Sequence, residues 1–231
     1  MIEIARIRAI SLDLDDTLWP IWPTIAEAER CLQVWLQPRA PATAQLFASV
    51  PERHALRTQV EADWPHLQHD LSFMRTAMIR LGLQRCQEDA ELAQPAFEVF
   101  FAARQQVSLY PDALPALQQL AQRWPLLALS NGNADVTRIG LGAYFCGAVS
   151  ARDVGVGKPD GRIFAAAAQH LGLQASEVLH VGDDVQLDVI GALQAGMQAV
   201  WLNRSAQPWP QSALAAAPSV ADLAALCALL A

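Results

Sequence analysis

Three aspartates and a threonine directly follow a short apolar segment near the start of the chain, in the stretch Ile10-Ser11-Leu12-Asp13-Leu14-Asp15-Asp16-Thr17-Leu18. The apolar run from Ile7 to Leu12 has the composition of a buried strand. In open α/β proteins, the residues that follow a parallel strand lie at the carboxyl edge of the sheet, where ligands bind. An ordinary turn needs only one Asp or Asn. We therefore predict that Asp13 and Asp15 belong to a functional site, the alternative being a solvated turn.

The composition predicts a folded protein and limits its partners. Hydrophobic residues make up 53% of the 231 residues and charged residues 17%, which is typical of a globular chain rather than a disordered one. The formal net charge is -7 and the sequence contains no basic run, so we expect neither nucleic acid nor an anionic membrane surface as a partner. The sequence leaves the oligomeric state open and is compatible with a monomer.

Cysteine usage and the beginning of the chain favour the cytoplasm. The cysteines form no CxxC pair, which is typical of reduced thiols rather than of a disulfide framework or a zinc site; they are Cys31, Cys86, Cys146 and Cys227. The first residues lack an apolar leader with a cleavage site, and no uninterrupted apolar run reaches membrane length. We predict a cytoplasmic protein.

Apolar strand-like runs alternate with amphipathic segments through the second half of the chain. Such alternation with short connections predicts an α/β fold, a Rossmann-like and mostly parallel sheet covered by helices on both faces. The predicted strands are 7–12, 126–129, 148–150, 178–181 and 199–202. The predicted helices of this part are 113–123, 161–171, 187–195 and 219–230.

Residues 20–108 differ from the rest in being rich in helix-forming residues throughout. An insertion of this length is too long for a simple crossover, so we predict an all-helical cap domain at 20–108 and a core domain at 1–19 and 109–231. Thr24 is the predicted N-cap of the first helix, with Glu27 completing a capping box. Breaks or kinks are predicted at Pro51, Trp64-Pro65, Gly82 and Pro95.

Polar residues follow the later strands as well. Ser130 and Asn131 end the second strand, Lys158 lies in the loop after the third, and Asp183 ends the fourth. Because the carboxyl ends of parallel strands meet at one edge of the sheet, we expect these residues to converge on Asp13 and its neighbours.

The converging residue types suit phosphoryl chemistry. Three carboxylates can hold a hard cation, for which Mg²⁺ is the default, and one carboxylate can act as a nucleophile. A second acid two residues on can exchange protons with a leaving group and a water. Ser130 with the backbone N–H of Asn131, in a turn that opens a helix, would cradle an anion, and Lys158 would add a positive charge.

The set of motifs resembles the haloacid dehalogenase (HAD) superfamily. The resemblance is carried by Asp13-x-Asp15-x-Thr17, Ser130, Gly157-Lys158-Pro159, and Gly182-Asp183-Asp184 with Asp188 following. Each motif stands at a predicted strand end and in the family's order. The helical insertion after the first motif is similar to the family's α-helical cap, which closes over the substrate in that family.

The resemblance implies a role for each acidic residue. Asp13 would be the nucleophile and a Mg²⁺ ligand, and Asp15 the general acid and base, which also binds the metal through its backbone carbonyl. Asp183 would be the remaining side-chain ligand of the metal. Of Asp184 and Asp188, one would hold a metal-bound water or orient the motif lysine.

The resemblance also implies how a phosphoryl group would be held. Thr17 and Ser130 would bind and orient it, with Asn131 contributing its backbone. Lys158 would stabilise charge on Asp13 and on the phosphoryl oxygens. The expected partner is therefore a small-molecule phosphomonoester, and the expected enzyme is a Mg²⁺-dependent phosphatase with an aspartyl-phosphate intermediate.

Within the superfamily, the sequence is most similar to a bacterial subgroup that hydrolyses flavin mononucleotide and phosphoribitylaminouracil phosphate. The similar stretches are 14–18, 124–126, 130–134, 179–184, 196–199 and, in the cap, 69–72 with Arg75. Dehalogenases of the superfamily lack the counterparts of Asp15 and of the paired acids at 183–184. Phosphonatases use a cap lysine, and residues 20–108 contain none. Phosphomutases of the superfamily share these motifs and differ in cap closure, so the motifs leave a mutase open.

Several alternatives remain open at the level of sequence. The enzyme could be a broad-specificity sugar-phosphate or phosphoglycolate-type phosphatase, or the chain could be a non-catalytic HAD-like binding protein. Trp19 or Trp22 could stack on a substrate ring, with core packing as the alternative. His180 is predicted to be a buried core histidine. His69 and Arg75 could meet a polar part of the substrate or form a solvated helix face.

Overall fold

The computed structural model describes residues 2–210 and 217–231. The chain divides into two compact units, each with its own packed interior. One comprises Met1–Pro20 with Ser108–Ala231 and is called the core unit here; the other, Ile21–Val107, is called the helical unit.

A parallel sheet forms the centre of the core unit. Its strands lie in the order β3-β2-β1-β4-β5-β6, and every neighbouring pair is parallel. The strand bounds are β1 Ala9–Leu12, β2 Leu126–Ser130, β3 Gly147–Ser150, β4 Val178–Gly182, β5 Gln198–Leu202 and β6 Ser219–Val220. The predicted α/β fold class with a parallel sheet is confirmed.

The strand order reverses between β1 and β4. The chain moves from β1 to β2 and β3 on one side, then returns to place β4, β5 and β6 on the other. At such a reversal the loops after the two central strands diverge and leave a crevice at their carboxyl ends. The backbone N–H of Asp13 extends the β1–β4 ladder by one bond, donating to the carbonyl oxygen of Val181 at 2.9 Å. The residues after β1 and β4 therefore start from a rigid position beside this crevice.

Five α-helices make up the helical unit, at α1 Ile21–Leu36, α2 Pro41–Ala48, α3 Val50–Asp63, α4 Leu71–Arg85 and α5 Ala93–Arg104. Helix α1 packs along α5, and α4 packs against α5 and α3. The apolar faces of these helices meet in a core that includes Leu32, Leu36, Ile79, Leu83 and Phe100. Short 3-10 turns lie at Pro65–Leu67 and Ala90–Leu92.

Helix α1 begins earlier than the capping pattern predicted. Thr24 is buried within the helix, so its predicted role as N-cap is wrong. Pro23 is accommodated because it lies in the first turn, where a backbone N–H would have no intrahelical partner.

Two of the breaks or kinks predicted in the helical unit, at Pro95 and Gly82, are absent from the structure. Pro95 lies in the first turn of α5 and so leaves the helix unbroken. Gly82 lies inside α4, where the helix needs a small residue: a Cβ there would lie 2.8 Å from the ring of Phe47. The break predicted at Pro51 lies at Ser49, whose side chain caps α3.

The helices of the core unit flank the sheet. They are α6 Ala113–Ala121, α7 Ala151–Val154, α8 Gly161–Leu171, α9 Gly191–Gln194 and α10 Leu223–Leu229, with a π-helical turn at Val185–Ile190 and 3-10 turns at Ile4–Arg6, Gly142–Tyr144 and Ala175–Glu177. The helix predicted at 187–195 is thus a π-helical turn followed by α9. In the described ranges, 2–210 and 217–231, no helix is both long and apolar enough to cross a membrane.

The end of the chain differs from its prediction as one helix over 219–230. Ser219 and Val220 form β6, which pairs with Trp201 and Leu202 of β5. Helix α10 then begins after Asp222, whose carboxylate accepts a hydrogen bond from the backbone N–H of Ala225 at 2.7 Å. An Asp that satisfies a free N–H at this position fixes the start of the helix.

Candidate active site

A buried lysine joins the acids that follow β1 and β4. The ammonium of Lys158 donates to Asp13 Oδ1 at 2.5 Å, to Asp188 Oδ1 at 2.6 Å and to the carbonyl oxygen of Leu129 at 2.9 Å. The side chains of Lys158 and Asp188 are 2% and 3% exposed, and that of Asp13 is 10% exposed. Ion pairs this deeply buried are short and well ordered, because water cannot replace either partner. The predicted convergence of residues 145 positions apart is therefore present in the structure.

The carboxylate of Asp188 is fixed on both of its oxygens. Oδ1 accepts from Lys158 and lies 3.2 Å from His180 Nε2, and Oδ2 accepts from the backbone N–H of Asp184 at 3.0 Å. A Cβ on Gly182 would lie only 2.3 Å from this carboxylate. The glycine that ends β4 therefore leaves the space in which Asp188 packs against the backbone.

The two acids left open by the sequence occupy different places. Asp184 Oδ1 accepts from the backbone N–H groups of Gln186 and Leu187, at 2.7 and 2.8 Å, and so caps the π-helical turn. Asp188, four residues on, points into the site and contacts Lys158. Of the two, Asp188 is thus the acid placed to orient the lysine.

Asp183 completes an acidic group beside the lysine. One oxygen of each carboxylate, from Asp13, Asp183 and Asp188, lies within 4.8 Å of the other two. The hydroxyl of Thr17 donates to Asp183 Oδ1 at 3.2 Å, and the indole N–H of Trp201 donates to the Asp183 carbonyl oxygen at 2.8 Å. The loops after β1 and β4 are thereby held together at the crevice.

Asp15 is oriented by a tryptophan four residues on. The indole N–H of Trp19 donates to Asp15 Oδ1 at 2.9 Å, and the ring of Trp19 is fully buried. The intervening Asp16 has a φ of 59°, and its N–H donates to the Trp19 carbonyl oxygen at 2.7 Å. Asp accepts this left-handed turn conformation better than most residues. The hypothesis that Trp19 stacks on a substrate is wrong, because its ring is fully buried. Trp22 is 76% exposed, and for this residue the hypothesis stays a prediction.

The loop after β2 is tied to the lysine loop by a side-chain amide. Asn131 Nδ2 donates to the Lys158 carbonyl oxygen at 2.9 Å, and the Lys158 N–H donates to Asn131 Oδ1 at 2.6 Å. Ser130 Oγ accepts from the N–H of Gly132 at 2.9 Å. Residues 131–141 form turns rather than the predicted helix, so no helix N-terminus adds to an anion site at this loop.

Burial and crowding perturb the pKa values of these acids in different directions. Burial, reinforced by the negative charges of Asp188 and Asp183, raises the pKa of Asp13 well above its ordinary 3.8, despite the opposing effect of Lys158. Burial and the charge of Asp188 raise the pKa of Asp183 from 3.8 to about 7. At Asp188, the ammonium of Lys158 and the bond from His180 outweigh burial and hold the pKa low. Asp13 and Asp183 are thus the two acids of this group whose pKa values are raised, and burial is the largest cause in both.

Three side chains support the site in ways that the sequence did not predict. Trp19 orients Asp15, and Trp201 holds the backbone of Asp183. His180 is fully buried, as predicted, but it also contacts Asp188, and burial lowers the pKa of its ring so that the neutral form is favoured. Of these three contacts, only that between Trp19 and Asp15 joins residues close in sequence, four positions apart, so only this one had a local sequence signal.

Arg75 of the helical unit is neither free nor on a solvated face. Its guanidinium pairs with Glu29 Oε1 at 2.6 Å and lies 4.2 Å from the centre of the Phe100 ring. The hypothesis of a solvated helix face is therefore wrong for Arg75. These contacts hold helices α1, α4 and α5 together.

The comparison with known proteins identifies the family of the chain. A family model described as haloacid dehalogenase-like hydrolase matches residues 7–196. The chain therefore belongs to the haloacid dehalogenase-like hydrolase family, as the sequence motifs predicted. The predicted enzyme class, a phosphatase, is confirmed together with the family.

Individual relatives carry different names. The 5-amino-6-(5-phospho-D-ribitylamino)uracil phosphatase YigB of Escherichia coli (strain K12) is 36% identical over 206 residues, which cover 87% of this chain and 85% of that protein. A phosphoserine phosphatase of Thermus thermophilus is 36% identical over 140 residues, covering 58% of this chain and 56% of that protein. A crystal structure described as 2-haloacid dehalogenase from Pseudomonas syringae pv. Tomato DC3000 has a TM-score of 0.90 and 36% identity, covering 97% of this chain and 98% of that one.

Proposed function

We propose that this chain hydrolyses a small phosphomonoester through a covalent intermediate on Asp13. The observation that carries the proposal is the buried set of Asp13, Lys158 and Asp188 beside Asp183, at the point where the strand order reverses. A nucleophile must be held within reach of its target in one orientation. The ammonium of Lys158, fixed by two acids and a carbonyl, supplies that constraint for Asp13.

In the proposed first step, a carboxylate oxygen of Asp13 attacks phosphorus and the bond between phosphorus and the ester oxygen breaks. The leaving alkoxide takes a proton from Asp15, whose carboxyl group is oriented by Trp19. The product is an aspartyl-phosphate and a free alcohol. Thr17 and Ser130 would hold phosphoryl oxygens during this transfer, and Lys158 would offset their charge.

In the proposed second step, Asp15 accepts a proton from a water molecule that attacks phosphorus. The bond between phosphorus and the Asp13 oxygen breaks, which releases inorganic phosphate and restores the Asp13 carboxylate. The same side chain thus acts as an acid and then as a base, so the proton balance closes over one turnover.

The acidic group fits a bound Mg²⁺ ion. Carboxylate oxygens are the ligands that Mg²⁺ prefers, and one oxygen from each of Asp13, Asp183 and Asp188 lies within 4.8 Å of the other two. Asp188 is already committed to Lys158, His180 and a backbone N–H, so Asp13 and Asp183 would be the side-chain ligands, with the Asp15 carbonyl as a third. When bound, the ion would offset charge on the phosphoryl group.

For the substrate, we propose a phosphate of the flavin pathway, either phosphoribitylaminouracil phosphate or flavin mononucleotide. The similarity to YigB over most of both chains supports this choice, as do the sequence stretches shared with that subgroup. Substrate preference would reside in the helical unit, Ile21–Val107, which we propose has the role of a cap. The phosphoryl-transfer residues lie in the core unit and are compatible with many esters.

Phosphate release across a panel tests the proposal. The panel contains the two flavin-pathway compounds, phosphoserine, phosphoglycolate and sugar phosphates, each with and without Mg²⁺ and with Asp13→Asn as the inactive control. We expect Mg²⁺-dependent release with a preference for the flavin-pathway compounds. Equal rates across the panel would contradict the substrate, and no release from any ester would contradict the phosphatase mechanism and favour a binding protein.

A halide-release assay with 2-chloropropionate examines the function named for the structural neighbour from Pseudomonas syringae. We expect no halide, because the proposed roles of Asp15 and Asp183 are proton transfer to an ester oxygen and binding of a cation, and displacement at carbon requires neither. Release of halide without release of phosphate would replace the proposed reaction.

A further inference from the structure

Ser11 and His180 form a buried polar pair inside the sheet. They are register partners on the adjacent strands β1 and β4, and both are fully buried. Ser11 Oγ lies 2.9 Å from His180 Nδ1. Burying an imidazole and a hydroxyl in a sheet interior is costly compared with an apolar pair, even when the two are hydrogen-bonded to each other. The pair therefore calls for an explanation beyond packing.

The hydrogen-bond partners define the form of the ring. His180 Nε2 lies 3.2 Å from Asp188 Oδ1, and a carboxylate can only accept a hydrogen bond. Nε2 therefore carries the proton, and in the neutral ring Nδ1 is the acceptor that receives the hydroxyl of Ser11. Edge-on packing against Phe164, with ring centres 5.4 Å apart, further fixes the ring plane.

We propose that Ser11 and His180 are positioning residues for catalysis, which hold the Asp188 carboxylate so that it presents Lys158 to Asp13. The chain of contacts runs from Ser11 to His180, to Asp188, to Lys158 and to the nucleophile, with separations of 2.9, 3.2, 2.6 and 2.5 Å. This inference rests on the proposed function, because it assigns the pair to the same reaction.

The geometry shows what the pair adds to the other bonds of Asp188. Lys158 and the Asp184 N–H each take one carboxylate oxygen, but Lys158 ends in a rotatable ammonium that can follow a turning carboxylate. The His180 ring comes from a strand inside the sheet and cannot follow. It therefore fixes the carboxylate plane, and the ammonium of Lys158 is aimed at Asp13 as a result.

Substitutions at His180 separate positioning from packing. His180→Leu removes the donor to Asp188, while His180→Gln offers an amide N–H near the place of Nε2. Ser11→Ala removes only the hydroxyl that selects the tautomer. Leu179→Ala is the control for stability, because Leu179 is fully buried on the same strand and its side chain points to the opposite face.

The expected result is a split between kcat and KM. Loss of an outer partner of a site carboxylate typically lowers activity by about 10–100-fold, so His180→Leu should lower kcat by that factor with KM nearly unchanged. His180→Gln should recover most of the loss, and Ser11→Ala should lower kcat by a few-fold. Leu179→Ala should keep its kcat while its unfolding midpoint falls. Equal loss in the Leu and Gln variants, or a kcat for His180→Leu equal to wild type, would overturn the proposal.

A second readout does not depend on turnover. The ¹⁵N chemical shifts of the His180 ring report which nitrogen carries the proton. We expect the neutral form with the proton on Nε2 in the wild-type chain, and a larger share of the Nδ1-protonated form in Ser11→Ala. A wild-type ring protonated on Nδ1 would overturn the proposal even if the chain hydrolysed the panel. If the wild-type chain hydrolysed no ester, the proposed function would fail, and so would the assignment of this pair to its catalysis, whatever the ring spectrum.

Discussion

Arg204 joins four segments of the core unit, and its removal should have a large and measurable effect. Its guanidinium donates to both oxygens of Asp112, at 3.1 and 2.9 Å, and to the carbonyl oxygen of Thr17 at 2.9 Å. It also lies 3.9 Å from the centre of the Tyr110 ring. Asp112 in turn accepts from the backbone N–H of Leu223 at 2.8 Å. This contact therefore joins four segments of the core unit: the loop after β1, the segment before α6, the loop after β5 and the start of α10.

The magnitude follows from the burial of the pair. The side chains of Arg204 and Asp112 are 18% and 16% exposed, so the pair is partly buried. Removing one partner of a fully buried ion pair costs about 3–5 kcal/mol, and this pair is only partly buried, so we expect Arg204→Met to lower the free energy of unfolding by about 2 kcal/mol. Arg204→Lys keeps the charge but not the planar two-point contact, and should lose less. Because Thr17 is proposed to hold the phosphoryl group, KM for the ester should rise several-fold in Arg204→Met.

Urea unfolding followed by circular dichroism measures the effect, with Arg162→Met as the matched control. Arg162 also contacts both carboxylate oxygens of an aspartate, Asp160, but the two side chains are 70% and 37% exposed. Exposed pairs contribute little because water competes for both partners, so this variant should unfold at the wild-type midpoint. Equal losses in the Arg162 and Arg204 variants would refute the argument from burial.

The pH dependence gives a second check. Burial tends to raise the pKa of Asp112, but the bonds from Arg204 outweigh it, and the pKa lies below the ordinary 3.8. A carboxyl group whose pKa falls on folding contributes stability above its unfolded pKa, and that contribution is lost as the pH falls through the folded pKa. The difference in stability between wild type and Arg204→Met should therefore be constant near neutral pH and shrink as the pH falls through 3.8. A difference that grows with acidity would contradict this sign.

Three further predictions concern the site itself. Lys158→Met leaves two buried acids without their cation, so in metal-free protein it should lower the free energy of unfolding by about 3–5 kcal/mol. Turnover should also be lost. An unchanged urea midpoint would contradict the buried ion pairs. Gly182→Ala places a methyl group against the Asp188 carboxylate, and should cost about 1–3 kcal/mol and lower kcat, whereas wild-type kinetics would mean that the carboxylate can move away freely. Trp19→Phe removes the indole donor to Asp15 while keeping an aromatic ring. We expect kcat to fall about 10-fold with only a small change in the thermal unfolding midpoint. An unchanged kcat would mean that the tryptophan only packs.

The convergence of the motif residues could be predicted from sequence because parallel strands share one carboxyl edge. Asp13 and Asp183 directly follow strands, and Lys158 lies in the connection after β3, so identifying the strands was enough to bring them together. Helix starts were harder to predict. The capping pattern placed the start of α1 at Thr24, whereas the helix begins at Ile21. A proline in the first turn stabilises a helix start that a simple reading treats as a break.

The supporting contacts could not be predicted in the same way. Ser11 and His180 are 169 residues apart, and their contact depends on the register between β1 and β4, which no local pattern specifies. A shift of one residue would turn His180 to the other face of the sheet and away from Asp188. Arg204 follows β5 in a loop of ordinary composition, and its bond to Thr17 exists only once that loop has folded back over the sheet.

The charges of the site also constrain how it can bind a substrate. One ammonium, from Lys158, stands against the carboxyl groups of Asp13, Asp183 and Asp188, and with all of these ionised two negative charges remain unmatched. A phosphomonoester brings further negative charge, and like charges repel strongly where burial lowers the effective dielectric constant. The guanidinium of Arg204 is already paired with Asp112 and cannot offset this repulsion. A divalent cation beside Asp13 and Asp183 would balance the unmatched charge, so we expect the proposed Mg²⁺ to promote binding of the substrate as well as reaction of its phosphoryl group.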